Sequence, residues 1–295
     1  MDKRILLVGT VSNVGKTIEK ELRIVCKALS VFDYVKIYLV ESDSTDNTVE
    51  ILEKIKLANT NFDFTSLGIL KKKLPHRIER IAYCRNNYVE YFRIKHQIIN
   101  FDYVAVVDLD GMNFRINKRG IKSCFDSNIQ WSGMMANQKF GYYDIYALRS
   151  KNWVEEDCFK KLSQAKQIDL FVEHKNSLLN FINAFQYFDK LRVNYIYKHM
   201  RILKRKNGLI PVDSAFGGFA IYVSQVFLTS TYSVDKLNLD QCEHVEFNLK
   251  LKSQGHLLYI NPALVNAYFN SYNLNKFRFV RFVRECKKHL KLKYP

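Results

Sequence analysis

Proline and glycine are scarce in this chain of 295 residues, which contains four prolines and 11 glycines. Flexible linkers and low-complexity segments are rich in such residues, so their scarcity predicts a continuously folded chain. The six cysteines are scattered and form no C-x-x-C pair. This spacing is typical of reduced thiols in a cytosolic protein and does not favour a disulfide framework or a zinc site.

Long apolar runs are also missing. The first apolar stretch, residues 5–8, is far shorter than the apolar region of a secretory signal peptide. No stretch approaches the ~20 apolar residues that a membrane-spanning helix needs. We therefore expect a cytoplasmic protein, which could have a peripheral position on the inner face of a membrane.

Acidic residues are outnumbered, with 29 Asp and Glu against 46 Lys and Arg, for a formal net charge of +17. Such a surface favours polyanions, which include nucleic acid, anionic lipid and phosphorylated substrates. Hydrophobic residues make up 47% of the chain, which excludes a disordered protein. The length suffices for one large α/β domain or two smaller ones.

Strand-like and helix-like segments alternate over the first 110 residues. We predict strands at 5–9, 35–40, 62–67 and 104–108, and helices at 14–31, 47–58 and 75–97. This alternation predicts an α/β fold with a doubly wound, mostly parallel, Rossmann-like sheet. Right-handed crossovers place the loops after the strands at one edge of the sheet, where ligands bind in such folds.

The fourth predicted strand ends in two carboxylates one residue apart, Asp108 and Asp110. Side chains alternate along a strand, so the two carboxylates point the same way if the extended geometry continues. Oxygen ligands of this kind suit Mg²⁺ or Mn²⁺. The pair therefore indicates a metal-assisted reaction on a nucleotide-linked substrate, with a simple acidic turn as the alternative.

Residues 9–17 approximate the phosphate-binding pattern G-x-x-x-x-G-K-[ST]. The spacing fails, because Gly9 comes one residue too early and Thr10 stands where the pattern requires glycine. We favour a strand-to-helix turn close to a nucleotide over a true phosphate loop.

Residues 41–48 form a second polar loop after a predicted strand. Its Ser, Thr, Asp and Asn residues are typical of turns and helix caps. Acidic groups at such a position also hydrogen-bond a ribose or base in dinucleotide-binding folds.

Several segments together resemble glycosyltransferases with the GT-A fold. The segment E-S-D-S-T-D-N-T, followed by V-V-D-L-D, resembles their nucleotide-sugar half. Residues 216–222, 242–251 and 258–262 are similar to their acceptor half, and residues 142–149 with Trp153 resemble bacterial and fungal members close to capsular mannosyltransferases. The resemblance spans residues 4–266. It implies a GT-A-like domain at 1–270, with a nucleotide-sugar half at 1–112 and an acceptor half at 113–270, followed by a tail at 271–295.

The resemblance implies a hexosyltransferase, with mannose as the favoured sugar. It implies GDP-mannose or a UDP-sugar as donor, a glycan or lipid-linked acceptor in surface polysaccharide synthesis, and Mn²⁺ or Mg²⁺ as cofactor. No nucleic acid partner is expected. The implied metal ligands are Asp108, Asp110 and His244. The implied donor-binding residues are Thr10, Glu41, Asp43, Arg77, Arg80, Arg85, Asp108, Gly217 and Gly218. Asp144 and Trp153 are implied to hold the acceptor, and Glu243, His244 and Asp213 to carry the catalysis.

The pair Glu243 and His244 departs from the family pattern. In many inverting members of family 2 the matching pair is Glu-Asp, and the Asp is the base. Here His244 occupies that place, and it could be a general base near neutral pH or the third metal ligand. In the second case Glu243 could be the base. The terminal histidine that the family often carries is absent, and Asn266 lies near that place.

The tail predicts a basic amphipathic helix. Its apolar side carries Phe279, Phe282, Val283, Cys286 and Leu290, and Lys and Arg residues occupy the other side. Such a helix suits an anionic membrane interface, and docking onto the core is the alternative. A second amphipathic helix is predicted within 168–191, from apolar residues that include Leu170 and Phe171.

Two functions from other classes stay open at this point. A P-loop-like nucleotide hydrolase would explain the segment Gly15-Lys16-Thr17 and an acidic strand end. A nucleic-acid-binding protein would explain the net charge of +17.

Overall fold

The computed structural model of the protein describes residues 2–168, 178–235, 239–270 and 273–293. In these residues one sheet has eight strands in the order β3-β2-β1-β4-β7-β5-β8-β6. The strands are β1 Arg4–Val11, β2 Tyr34–Glu41, β3 Phe62–Ser66, β4 Tyr103–Asp108, β5 Gly133–Gln138, β6 Ile210–Val212, β7 Phe219–Val223 and β8 Leu258–Ala267.

The α-helices of the described residues follow the strands closely in the first half of the chain. They are α1 Ile18–Leu29, α2 Thr48–Ala58, α3 Arg77–Ile99, α4 Lys118–Lys122, α5 Cys158–Ile168, α6 Leu178–Tyr195, α7 Gln225–Thr229, α8 Glu243–Ser253 and α9 Arg278–Lys293. The predicted alternation of strands and helices up to residue 108 is confirmed, with boundaries shifted by a few residues.

Helices cover both faces of the sheet, which is why its central strands are apolar on both sides. Along β1, Leu6 and Val8 pack into one core with α3, and Ile5 and Leu7 pack into a second core with α1. All four of these side chains are fully buried. The predicted doubly wound sheet is therefore confirmed.

The second half of the sheet is mixed. Strand β7 is antiparallel to both of its neighbours, β4 and β5. Strands β5 and β8 are parallel to each other, so their carboxyl ends meet the carboxyl end of β4 and the amino end of β7 at one edge. Strand β6 runs antiparallel to β8, and its carboxyl end therefore lies at the opposite edge.

The tail forms the predicted helix, and α9 packs against α6. The guanidinium of Arg281 is buried and forms an ion pair with Asp189. The ring of Phe282 contacts Phe185, with 5.1 Å between centroids, whereas Phe279 is 76% exposed. The side chain of Leu290, together with Leu170 and Phe171 of the earlier predicted helix, lies outside the described residues. Within the described ranges, no helix combines the length and the apolar character needed to cross a membrane.

Candidate active site

The carboxyl ends of three adjacent parallel strands bring polar residues together at one edge of the sheet. Thr10 of β1 pairs with Val40 of β2 on one side and with Asp108 of β4 on the other. Glu41 is the last residue of β2. The structure thus places Thr10, Glu41 and Asp108 side by side, as the parallel topology predicts.

A buried carboxylate of α1 holds the turn that carries Asp110. Glu21 accepts hydrogen bonds from the backbone N–H groups of Gly111 at 2.8 Å and Asn113 at 2.7 Å. The Asn113 side chain in turn donates to the carbonyl of Asp108 at 2.6 Å. These bonds hold the turn from behind and leave Asp110 exposed. Sequence reasoning missed Glu21, although an acidic residue on the apolar face of a predicted helix is a usable signal.

Arg85 of α3 joins two carboxylates from distant parts of the chain. Its Nε donates to Glu243 Oε1 at 2.9 Å, and its Nη2 donates to Asp108 Oδ1 at 3.3 Å. The residue is 3% exposed, and its guanidinium lies 5.5 Å from the ring centroids of both Phe216 and Tyr232. Arg85 was predicted to bind the donor, but in the structure its guanidinium positions protein carboxylates instead.

Three carboxyl groups at this edge have raised pKa values. Burial raises the pKa of Asp108 to about 7 against the opposing effect of Arg85, and the charges of Asp110 and Glu243 raise it further. Although Asp110 has solvent-exposed surface, the protein around its carboxyl group desolvates it, and this desolvation and the negative charge of Glu21 raise its pKa. Burial raises the pKa of Asp144 to about 6, although backbone N–H groups oppose the shift. Negative charge is therefore in excess here, and a bound cation would relieve it.

The donor set of Asp108 and Asp110 fits a hard divalent cation. Mg²⁺ and Mn²⁺ prefer oxygen ligands, and Mg²⁺ is commonly held by one or two carboxylates with substrate phosphates and water as the other ligands. The described ranges contain no group of three His, Cys, Asp or Glu residues close enough to hold a metal. The two aspartates would thus hold the cation without a third side chain of these types.

His244 does not join the aspartates in such a group, which corrects its prediction as the third metal ligand. Its ring is 2% exposed and stacks on Phe216 with 3.9 Å between centroids. Both ring nitrogens lack a hydrogen-bond partner among the described residues, and Nε2 lies 3.8 Å from Glu243 Oε1. Burial and the charge of Arg85 hold the pKa of His244 well below its usual value. The ring is therefore neutral and a weak base at neutral pH.

Gly217 and Gly218 form a turn in a backbone conformation that favours glycine, with φ of +75° and +82°. A Cβ on Gly217 would lie 2.6 Å from the carbonyl oxygen of Ala136. The N–H of Gly217 donates to Asp144 at 2.8 Å, and the carbonyl of Gly218 accepts from the N–H of Asp108 at 3.0 Å. The turn therefore connects Asp144 to Asp108.

The hydroxyl of Tyr143 also reaches this turn, because a Cβ on Gly218 would lie 3.2 Å from it. Burial raises the pKa of Tyr143 well above its usual value, and the charges of Asp108 and Asp110 contribute. Tyr143 thus lies at the acidic edge, the edge of the sheet that carries Asp108, Asp110 and Asp144. Sequence reasoning did not single it out.

Buried amides tie the turn to the ends of β5 and β8. Gln138 Nε2 donates to the carbonyl of Gly217 and to Asn266 Oδ1, both at 2.9 Å. Asn266 Nδ2 donates to Asn113 Oδ1 at 3.0 Å and to the carbonyl of Gly217 at 2.8 Å. Asn266, near the place of the family's terminal histidine, thus bonds three neighbouring segments. No local sequence pattern predicts this hydrogen-bond network.

Arg77 and Arg80 have different surroundings, although both lie in the first turn of α3. Arg80 Nε lies 3.4 Å from Asp43 Oδ2, and Arg80 Nη1 donates to two backbone carbonyls. Arg77 is exposed, and its charge lowers the pKa of Asp110. Of the two arginines, Arg77 is therefore the one whose charge acts on Asp110.

The loop after β1 is not arranged as a phosphate loop. The N–H of Val14 donates to Thr48 Oγ1 at 2.9 Å, and the N–H of Gly15 donates to Asp46 Oδ2 at 3.1 Å. A phosphate-binding nest needs such N–H groups to be free for the anion. The structure therefore does not support the P-loop interpretation.

The polar loop after β2 is braced by its own acidic residues. Glu41 is 1% exposed and accepts hydrogen bonds from the N–H of Ser44 and the hydroxyl of Ser66. Asp43 has φ of +60°, and its Oδ1 accepts from the N–H of Lys71 at 2.9 Å. Glu41 therefore shapes the loop, and Asp43 lies at its surface side.

Two predicted site residues, Asp213 and Trp153, have surroundings that differ from the predicted ones. Asp213 follows β6 at the opposite edge, 3.6 Å from Lys252 Nζ. Lys252 lies nine residues after Glu243 on α8, about 14 Å along the helix axis at 1.5 Å per residue. Trp153 is 7% exposed, and its indole N–H donates to the carbonyl of His199. Asp213 therefore lies away from this edge, and the ring of Trp153 is buried. The roles of Asp213 in catalysis and of Trp153 in holding a sugar stay predictions.

Comparisons with known proteins give structural likeness only. No family model matches the chain, and no curated protein matches its sequence. The mannosyltransferase PcManGT from Pyrobaculum calidifontis, solved with GDP-Man and Mn²⁺, is similar in structure, with a TM-score of 0.51 and 11% identity over 99% of this chain and 65% of that chain.

S. aureus TarS 1-349 matches with a TM-score of 0.43 and 13% identity, over 90% of this chain and 60% of that chain. M. tuberculosis glucosyl-3-phosphoglycerate synthase matches with a TM-score of 0.40 and 12% identity, over 97% of this chain and 81% of that chain. The chain thus spans about 60% to 65% of the length of the first two proteins. From its sheet order and its likeness to the mannosyltransferase, the chain has the GT-A fold of glycosyltransferases.

Proposed function

We propose that this protein is a metal-dependent glycosyltransferase that moves a sugar from a nucleotide-sugar donor to a glycan or glycolipid acceptor. The observation that carries the proposal is the pair Asp108 and Asp110 at the carboxyl end of β4, in a GT-A fold, with excess negative charge around it. A site of this charge attracts a divalent cation, and the cation attracts the donor diphosphate.

Asp108 and Asp110 would hold Mn²⁺ or Mg²⁺. When bound, the cation supplies Lewis-acid stabilisation of the charge that develops on the leaving nucleoside diphosphate. Arg77, exposed beside Asp110, binds the same diphosphate from α3. Glu21 keeps the Asp110 turn in place while the donor enters and leaves.

The loops after β1 and β2 form the nucleoside side of the proposed donor site. Thr10 is half-buried between the ends of β2 and β4. Asp43 is held by Arg80 and is assigned to the ribose or base. The turn at Gly217 and Gly218 lets the donor approach the backbone on the other side of Asp108.

Asp144 is the carboxylate that we favour as the base for the acceptor hydroxyl. Its pKa of about 6 is close to the pH at which a general base works best. Glu243 is the alternative, and its Oε1 is oriented by the hydrogen bond from Arg85. The neutral, stacked ring of His244 supports the packing of α8 against Phe216 rather than proton transfer.

GDP-mannose is the first donor to test, because the similar mannosyltransferase was solved with GDP-Man and Mn²⁺. UDP-sugars come second. A role in surface polysaccharide synthesis with the enzyme at an inner membrane face accords with α9, whose described surface includes the exposed ring of Phe279 and basic residues.

The test is a thermal-shift screen of GDP-mannose, UDP-sugars and ATP, each with Mn²⁺ and with EDTA. A ligand that binds only the folded state raises the melting temperature. We expect one nucleotide sugar to give a shift that needs Mn²⁺ and disappears in Asp110→Asn. Asp33→Asn is the matched control, because Asp33 is an exposed aspartate before β2, at the opposite edge.

A shift from ATP alone that is lost in Lys16→Ala would contradict the proposal and favour a nucleotide hydrolase. Salt-sensitive binding of DNA or RNA without any response to nucleotide sugars would contradict it in favour of a nucleic-acid-binding protein.

A further inference from the structure

A pocket of about 560 Å³ opens beside the carboxyl ends of β5 and β8, a volume in the range of sites for small organic ligands. Its lining includes four cationic side chains, those of Arg115, Lys139, Lys204 and Arg205. No acidic residue of the described chain lines this pocket. In a solvated surface such cations usually alternate with acidic groups, so this arrangement indicates an anionic ligand.

Two of the cations are held in place by one tyrosine. The Arg115 guanidinium lies 4.7 Å from the centroid of the Tyr268 ring, and Lys139 Nζ lies 4.6 Å from it. The backbone N–H of Arg115 donates to the carbonyl of Asn266 at 2.8 Å, and that of Lys139 to the carbonyl of Ala267 at 3.0 Å. The backbone at both cations is thus hydrogen-bonded to the end of β8. An anion that binds these side chains would therefore have to immobilise few additional residues.

Asn137 belongs to the lining of the pocket and carries a buried hydrogen-bond acceptor. It is 1% exposed, and its Nδ2 donates to the carbonyls of Leu203 and Pro262, each at 3.2 Å. Carbonyls only accept, so these bonds fix the orientation of the amide. Asn137 Oδ1 is left without a partner among the described residues. A buried acceptor without a partner is costly, and a ligand hydroxyl would satisfy it.

The pocket is joined to the acidic edge by a short loop. Arg115 lies five residues after Asp110 in the chain. Between them, Asn113 bonds Glu21 on one side and Asn266 on the other. A molecule in the pocket therefore contacts the same loop that carries the proposed metal ligand.

We propose that this pocket binds the phosphate ester of the acceptor, and that the acceptor is a polyol phosphate. The cations take the phosphate, and Asn137 Oδ1 accepts a hydrogen bond from a hydroxyl of the polyol. A neutral glycan would leave the four cations without a counter-charge. The role of this ligand as the acceptor rests on the proposed function, whereas the binding of a polyol phosphate to the pocket does not. The phosphate ester can belong to a soluble molecule or to a lipid head group.

The test measures binding of glycerol 3-phosphate to the full chain by calorimetry, with glycerol as the neutral match. Vesicles of phosphatidylcholine with and without phosphatidylglycerol form a second arm, which separates a lipid head group from a soluble ester. We expect Lys139→Glu to weaken binding of the ester by about tenfold or more, because it removes a charge-assisted contact. Lys54→Glu makes the same charge change on α2, an exposed position beside β3 at the far end of the sheet, and should leave binding unchanged.

Equal losses in Lys139→Glu and Lys54→Glu would overturn the proposal, because the effect would then be general attraction. Binding of glycerol as strong as that of its phosphate would overturn it, as would no binding of the ester in either arm. Displacement of the ester by GDP-mannose would overturn it too, since the pocket would then belong to the donor. A pocket that selects oligonucleotides over the ester would have the same consequence.

The two proposals fail separately. Asp110→Asn should abolish metal-dependent donor binding and retain glycerol 3-phosphate, and Lys139→Glu should do the reverse. If no nucleotide sugar binds while the ester still binds with the expected dependence on Lys139, the glycosyltransferase proposal fails and the polyol phosphate site stands.

Discussion

At the scale of single residues, Arg85 carries a large share of the site's electrostatics. It bonds Glu243 and Asp108 from a position that is 3% exposed. Such a group cannot be removed without leaving at least one carboxylate buried without compensation. The free-energy cost of a buried carboxylate without a partner exceeds the net stabilisation by the intact ion pair, because charges are poorly solvated inside a protein.

We therefore predict that Arg85→Met lowers the free energy of unfolding by about 3 kcal/mol or more. Adding Glu243→Gln should recover part of the loss, because the uncompensated charge is removed with its partner. Urea unfolding of the two variants measures this coupling. Arg23→Met, at an exposed position on α1, is the control and should cost less than about 0.5 kcal/mol. Additive losses in the double variant would contradict the prediction.

Two glycines allow the energetic cost of backbone strain to be distinguished from the cost of a steric clash. Gly208 has φ of +66° and open space around a would-be Cβ, whereas Gly217 has φ of +75° and the Ala136 carbonyl 2.6 Å away. We predict that Gly208→Ala costs about 1 kcal/mol, from strain alone, and that Gly217→Ala costs more than about 2 kcal/mol. Chemical unfolding of both variants tests this. Similar costs would show that the turn moves away from Ala136 without penalty.

At the scale of elements, α1 serves the site although none of its residues was predicted to do so. Its buried Glu21 bonds the N–H groups of Gly111 and Asn113, so the helix fixes the loop that follows β4. The packing of α1 on the sheet thereby sets the position of Asp110. The metal site would depend on this helix as much as on the strand that carries the aspartates.

We predict that Glu21→Ala weakens the Mn²⁺-dependent thermal shift of the donor and costs about 1–3 kcal/mol of stability, because two backbone N–H groups lose their acceptor. Glu19→Ala, exposed on the same helix, should change neither quantity. Thermal shifts at matched donor and Mn²⁺ concentrations give both readouts. A loss of stability without any loss of donor binding would contradict the assigned role of Glu21.

At the scale of the whole molecule, net charge and local charge have opposite signs. The chain carries a formal net charge of +17, while Asp108, Asp110, Asp144 and Glu243 meet at one sheet edge. The overall field attracts anionic substrates over long distances. The carboxylates of the acidic edge instead favour the binding of a cation at short range. The two fields are compatible because a divalent cation and a phosphate-bearing ligand bind next to each other.

The folded protein should respond to pH through this edge. The pKa of Asp108 is about 7 in the folded chain and about 3.9 in an unfolded one, so the folded state holds more protons between these values. The free energy of unfolding therefore falls as pH rises through this window in metal-free protein. The lowered pKa of His244 acts oppositely below about 6.5, because the folded chain resists its protonation.

We predict that, without metal, the difference in melting temperature between wild type and Asp108→Asn becomes more unfavourable to the wild type from pH 5 to pH 7.5. Comparing the two proteins cancels the contribution of His244. Stabilisation of the wild type by Mn²⁺ should grow over the same range, because the cation binds the ionised carboxylate. Melting curves across pH with and without Mn²⁺ measure both effects. Parallel curves for the two proteins would contradict the raised pKa.

Local sequence patterns were enough to predict the doubly wound first half of the fold and the place of Asp108 and Asp110 at the end of a strand. Both depend on local periodicity and on the rule that parallel strands end at one edge. The sequence also predicted the tail helix, whose apolar and basic residues carry a short-range signal.

The other residues that meet at that edge are brought together by contacts between distant parts of the chain. Arg85 bonds a carboxylate 158 residues away, and no local pattern encodes that contact. Asp213 was misplaced because the antiparallel pairing of β6 with β8 carries it to the opposite edge. The burial of Trp153 and His244 was not predictable from local sequence, because burial results from the packing of the whole chain. Burial in turn decides the chemistry of an aromatic or imidazole ring.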